Sequence, residues 1–164
     1  MAFNDRNEYG RIGENLFIKY FYAYAVKMGW EVEIEPYGDM NSSHRIDFIV
    51  TIDGVRYLID VKTKRCRELY ADTGIDYPDY LGYNDLSMEE DLDVKIAFVD
   101  YHLSTVYWGN LNDLDVYDGK YPKFDYRCGA SKGIVYFRTD SFETIGYLTR
   151  EEIELLKSKE NSRW

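Results

Sequence analysis

The feature that most limits what this chain can become is a pair of apolar runs, RIDFIVTI (residues 45–52) and VRYLIDVK (residues 55–62), separated only by Asp53-Gly54. Two runs rich in β-branched residues joined by Asp-Gly predict an antiparallel hairpin, because the tight turn whose twist suits the strands needs positive φ at its central residues. Each run carries an acid where the pattern is otherwise apolar. Asp47 interrupts Ile46, Phe48, Ile49 and Val50, and Asp60 stands two residues before Lys62 at the end of the second run. Residues two apart on a strand share a face, so Asp60 and Lys62 project together, and the hairpin brings Asp47 into their neighbourhood.

The rest of the chain reads around this hairpin. Residues from about Glu8 to Met28 predict a helix, with Ile12, Leu16, Tyr20, Ala23 and Val26 at helical spacing and Gly29 as its stop. WEVEIEP alternates like a half-buried strand, and YGDMNSS is a loop. After the hairpin come a basic segment, KTKRCREL, a turn-rich stretch, ADTGIDYP, and a helix from about Pro78 to Glu90 with the proline near its start. VKIAFVD is almost continuously apolar, as a central strand covered on both faces would be. In the C-terminal third STVYWGN, GIVYFRTD and ETIGYLT read as strands, LNDLDVY as a short helical turn and DGKYPKFDYRCGASK as a long loop. A last helix starts near Thr149, where Glu152 three residues on completes a capping-box pattern. The expected architecture is α/β, a mixed β-sheet flanked by helices with core order α-β-β-β-α-β and a C-terminal β/α extension. The 164 residues suit one domain, with the core over about residues 8–100 and the extension over about 101–164.

Charge narrows the function. The net charge of -10 argues against a protein that coats a polyanion non-specifically, but leaves room for a local basic groove or a carboxylate-lined cation site. The 2 cysteines, Cys66 and Cys128, have no partner at zinc-ligand spacing and read as free thiols, which fits a reducing, cytoplasmic setting. The first residues show no apolar signal segment, and no apolar stretch approaches a membrane span.

Two carboxylates converging on one spot repel each other, and a divalent cation relieves that repulsion. Carboxylate and carbonyl oxygens suit a hard cation such as Mg²⁺, with Mn²⁺ as a substitute, so Asp47, Asp60 and the Val61 carbonyl are candidate ligands. The Lys62 ammonium beside them could orient a water or stabilise charge developing on a phosphate. The plainer alternatives are a surface ion pair between Asp60 and Lys62, an edge acid at Asp47 pairing with Arg45, and a solvated Glu14 pairing with Arg11 or Lys19.

The arrangement of Asp47, a short hairpin, and then Asp60-Val61-Lys62 resembles the signature of the PD-(D/E)XK nuclease superfamily. That group includes restriction endonucleases, archaeal Holliday-junction resolvases and small phage nucleases. The resemblance covers roughly residues 8–100; Ile46 stands where a proline is usual before the first acid, and the second acid is Asp where many members have Glu. It implies the restriction-endonuclease-like order already read from the pattern. It also implies that an acid on the first helix joins the metal site, and Glu14 in GRIGENLFIKYF stands at that place. The implied activity is Mg²⁺-dependent hydrolysis of DNA by an endonuclease, with Glu14, Asp47, Asp60 and Lys62 catalytic. DNA is the implied substrate, and a homodimer is a further expectation.

Basic residues near the motif and downstream are candidate DNA contacts. Lys64 returns to the face of Lys62 by strand alternation, Arg65 and Arg67 follow it, and Lys123 and Arg127 lie among Lys120, Lys132, Arg138 and interleaved tyrosines. His44 is a weaker candidate as a general base. The acidic run Asp72, Asp76, Asp79, Asp85, Glu89, Glu90, Asp91 and Asp93 reads as solvated surface. The rival function is a catalytically inactive nuclease-fold protein whose acidic surface binds or inhibits a protein partner.

Overall fold

The structure is a computed structural model that describes residues 2–38, 46–64, 72–114 and 134–161. Helix α1 (Ala2–Met28) leads into strand β1 (Val32–Pro36), then β2 (Phe48–Ile52) and β3 (Val55–Lys64). A short strand β4 (Asp72–Asp76), helix α2 (Tyr77–Glu90) and strand β5 (Asp93–Asp100) follow. The chain continues through β6 (Thr105–Asn110), a 3₁₀ turn at Leu111–Asp113, β7 (Ile134–Arg138), β8 (Glu143–Tyr147) and helix α3 (Arg150–Asn161).

Six strands form one mixed sheet in the order β1-β2-β3-β5-β6-β8, while β4 and β7 pair as a separate ribbon. The hairpin forms where the Asp-Gly dipeptide places it. Asp53 and Gly54 take φ of 48° and 85°, and Ile52 pairs with Val55. From there β2 and β3 run antiparallel as far as Phe48 opposite Ile59. β3 then pairs in parallel with β5, from Tyr57–Asp93 to Lys64–Asp100. A parallel neighbour requires a crossover, and β4 with α2 supplies it. The core order α-β-β-β-α-β on a helix-flanked mixed sheet is thus the restriction-endonuclease-like arrangement, with β4 inserted before α2 and with β6 and β8 widening the sheet.

The sheet is covered on both faces. On one, α1 and α3 bury Phe17, Phe21 and Leu156 against Ile59, Val61, Ala97, Val99 and Trp108. On the other, Tyr83 of α2 and the β4–β7 ribbon, through Ile75, Val135 and Phe137, pack on Leu58, Ile96 and Phe98. Between them lies β5, buried from Ile96 to Asp100, as its unbroken apolar run predicts.

Two details differ from the sequence pattern. The buried stripe of α1 is Tyr9, Phe17, Phe21 and Ala25, not one through Ala23 and Val26, and Val26 is 82% exposed. Aromatic residues fill nearly every face of this helix, so periodicity alone misplaces the stripe by one position. The stretch over residues 72–76, read as turns, is strand β4; its Gly and Asp residues are held extended by pairing with β7, from Asp72–Arg138 to Asp76–Ile134. No helix among the described residues is long and apolar enough to cross a membrane.

The capping box at α3 does more than start a helix. The Glu152 N–H donates to Thr149 Oγ1 at 3.2 Å, and its carboxylate accepts the Thr149 N–H at 2.8 Å. The same carboxylate takes Lys19 Nζ at 2.7 Å and the Tyr20 hydroxyl, both from α1. Burial alone would raise its pKa, but Lys19, Tyr20 and Thr149 outweigh it and hold the group down at about 2. Glu152→Ala should therefore destabilise the fold by about 1–2 kcal/mol in urea titrations at neutral pH. Because the folded pKa lies below the unfolded one, that loss should vanish as pH falls through the carboxylate range toward 2. A destabilisation equally large at pH 2 would refute this assignment.

Candidate active site

The site lies at the end of β3, where the strand outruns its neighbour. β2 covers β3 only up to Ile59, so from Asp60 onward that edge lacks a β2 partner. Asp47 stands at this step. Its own N–H donates to the Ile59 carbonyl at 3.0 Å, and its carboxylate Oδ2 accepts the Val61 N–H at 2.8 Å. The acid thereby bridges the two residues that flank Asp60. A strand residue's N–H and C=O point to the same side, so the Val61 carbonyl faces the same open edge.

Glu14 arrives from the α1 face. The helix can approach β3 this closely because residue 13 is glycine. A Cβ there would lie 1.8 Å from Thr63 Oγ1 and 2.8 Å from Thr63 Cβ, and a stiff β-branched side chain cannot yield that much. Glu14, next in sequence, reaches hydrogen-bonding range of Asp47, and Asp47 of Asp60. The three acids form a row from the α1 side, across the strand edge, to the α2 side.

Asp60 and Lys62 point to the other face, toward α2. Asp60 is 4% exposed. Its Oδ2 receives Lys62 Nζ at 3.1 Å and the hydroxyl of Tyr83. Lys62 also meets Asp79 at 3.5 Å and lies 5.9 Å above the Tyr83 ring. Asp79 and Tyr83 are one turn apart on α2 and so face β3 together.

Electrostatics follow from this burial. Desolvation pushes the Asp60 carboxyl up to about 8, with the nearby Asp47 adding to it and Lys62 opposing. Asp47 and Glu14 are raised too, first by burial, although hydrogen bonds with neighbouring acids, and for Asp47 with Val61, pull them back. Burial works against the Lys62 ammonium, but Asp60 and Asp79 outweigh it and raise its pKa, so it remains charged. The Tyr83 phenol is held well above its ordinary range by burial and by Asp60.

The residues read from the sequence are distributed as follows. Glu14, Asp47, Asp60 and Lys62 come together, with the Val61 backbone between them. The plainer alternative for Glu14 loses one partner, since Lys19 pairs with Glu152. An ion pair between Asp60 and Lys62 does exist, but it is largely buried rather than a solvated surface pair. Asp79, read as part of a solvated acidic run, instead contacts Lys62. Tyr83 was missed altogether, although its spacing of four from Asp79 behind Pro78 was a usable signal. Arg138, read with the basic groove, is engaged by Asp140 through two bonds of 3.0 and 2.7 Å. Lys64 is in β3, but its side chain lies outside the described residues. So do Arg65, Lys123 and Arg127, together with His44, Arg45, Arg67, Lys120, Lys132 and both cysteines.

The donor set suits a hard cation: three carboxylates and a backbone carbonyl close to one strand edge, with the acids raised first by burial. They stand in a row rather than a closed cage, and among the described residues no group of three His, Cys, Asp or Glu is spaced as a formed metal site.

Comparison with solved structures finds likeness to Hjc, a Holliday junction resolvase from the archaeal hyperthermophile Archaeoglobus fulgidus. The TM-score is 0.46 at 9% identity, covering 80% of this chain and 88% of that one. A nuclease from a fusselovirus is similar with a TM-score of 0.47 at 12% identity, covering 92% of this chain and 93% of that one. No protein-family model and no curated protein matches the sequence.

The raised acids set a pH dependence in metal-free protein. A carboxyl whose folded pKa exceeds its unfolded value of about 4 favours folding below that value and loses this contribution as pH rises through the folded pKa, here about 8 for Asp60. Urea titrations in chelator should find the wild type losing stability between pH 5 and pH 8. Asp60→Asn, which cannot ionise, should lose distinctly less. Parallel curves for the two proteins would contradict a raised Asp60 carboxyl.

Proposed function

We propose that this chain is a divalent-metal-dependent nuclease that hydrolyses phosphodiester bonds within DNA. The observation that carries this reading is the meeting of Glu14, Asp47 and Asp60 with the Lys62 ammonium at the end of β3 that β2 does not accompany. Three crowded, largely buried carboxylates outnumber the one ammonium beside them and would favour a cation, and that lysine adds a group that interacts with phosphate.

In this reading Asp47 and Asp60 hold Mg²⁺ or Mn²⁺, assisted by Glu14 and the Val61 carbonyl. When bound, the metal supplies positive charge to the phosphate and a more acidic water. Lys62 donates to the attacking water or to a phosphate oxygen and stabilises the charge that gathers there. The water oxygen forms the new bond to phosphorus, the bond to the leaving sugar oxygen breaks, and that oxygen takes up a proton. No covalent bond to the protein is required. Val61 and Asp47 orient one another through their hydrogen bond, which keeps the acid in place as substrate enters. Lys64, Arg65, Lys123 and Arg127 are proposed to grip the DNA backbone beside the site, and a homodimer would let two such sites cut both strands of a duplex.

The rival reading, an inactive nuclease-fold protein with an acidic protein-binding surface, draws on the net charge of -10 and on the acids Glu33 and Glu35 along β1. Incubation with plasmid and with single-stranded DNA in Mg²⁺, Mn²⁺ or chelator separates the two. Cleavage should need the metal, and Asp47→Ala should abolish it. Lys62→Ala should keep the fold and metal binding yet lose at least about 100-fold in rate. Lys62→Arg should also be poor, since a planar guanidinium that does not deprotonate cannot replace a compact ammonium at a water. Full activity of Lys62→Ala would overturn the mechanism, and a wild type that cuts no nucleic acid under any of these conditions would favour the binding protein.

A further inference from the structure

Asp60 has a geometric problem that the other two acids of the motif do not solve. It lies on the α2 face of β3, between Ile59 and Val61, whose side chains join the core on the α1 face. Asp47 and Glu14 reach the strand edge from the other directions. A carboxylate turns easily about its last side-chain bond, so without a fixed partner its oxygens would have no set direction toward the other two acids.

Besides Asp47, which lies within hydrogen-bonding range, two groups hold it from the α2 side, and both use Oδ2: the Lys62 ammonium at 3.1 Å and the Tyr83 hydroxyl. Oδ1 is claimed by neither. The two partners differ in what a cation does to them. A divalent ion beside Asp60 would repel the positively charged Lys62, which also contacts Asp79 at 3.5 Å. Tyr83 is neutral and feels no such repulsion. Its ring is fully buried in the core under α2, in the cluster with Leu58, Ile75, Ile96 and Val135, so its hydroxyl has little freedom to leave.

We infer that Tyr83 is a positioning residue. It holds Oδ2 of Asp60 from the α2 side, so that Oδ1 stays available to the cation shared with Asp47. This rests on the proposed metal-dependent reading and assigns α2 a part in building the site. Partners that orient metal-ligating carboxylates typically change affinity by about 10–100-fold when removed, although they never touch the ion.

The test is Mn²⁺ binding, read by electron paramagnetic resonance of the free ion, in wild type, Tyr83→Phe and Asp79→Asn. Phenylalanine keeps the buried ring and removes only the hydroxyl, and urea titration checks that each variant is folded. The expected result is Mn²⁺ affinity about tenfold weaker in Tyr83→Phe. Asp79→Asn, which alters the partner of Lys62 rather than of Asp60, should stay within about twofold of the wild type. Equal affinity in wild type and Tyr83→Phe overturns the inference while leaving the nuclease reading intact. Equal losses in both variants overturn it as well, because they would mean that α2 has shifted as a whole. A wild type that binds no Mn²⁺ removes the metal-dependent reading and this inference together.

Discussion

Much of this molecule depends on a difference in strand length. β3 runs to Lys64, but β2 accompanies it only from Val55 to Ile59. Beyond that point one edge of β3 is held by β5 and the other lies open to side chains. An unpaired N–H inside a folded protein must find an acceptor, and the Val61 N–H finds the carboxylate of Asp47. That single bond anchors an acid where the α1 side, the α2 side and the sheet edge meet. Glu14 comes from one side, and Asp60, Lys62, Asp79 and Tyr83 lie on the other.

The arrangement is costly without a cation. A carboxylate 4% exposed is expensive to ionise, and two further acids stand beside it. Lys62 offsets part of this, and shared protons offset more as pH falls. The remaining strain favours whatever brings positive charge to the edge. The overall charge of -10 has the sign that attracts divalent cations.

The fold was legible where local chemistry decides the structure. Asp53-Gly54 specified its turn, Gly29 ended α1 with φ of 72°, and Thr149 with Glu152 started α3. Each depends on a few adjacent residues. The strand β4 was not legible, because Asp-Thr-Gly-Ile-Asp becomes extended only through pairing with a strand about sixty residues later. Within the site, Asp47, Asp60 and Lys62 could be read because one hairpin joins them. For Asp79 and Tyr83 the spacing marked only a shared helix face; which strand that face meets depends on how a crossover helix docks. Glu14 was reachable only through the family resemblance, and the role of Gly13 in bringing it close is visible only as a contact with Thr63.

The most direct test of the central claim is crystallographic: crystals of the wild type soaked in Mn²⁺, with data collected for anomalous scattering. The account predicts a strong anomalous peak at the open edge of β3, within coordination distance of carboxylate oxygens from both Asp47 and Asp60. A peak held by other residues, or a fully occupied soak with no peak between these two acids, would contradict it.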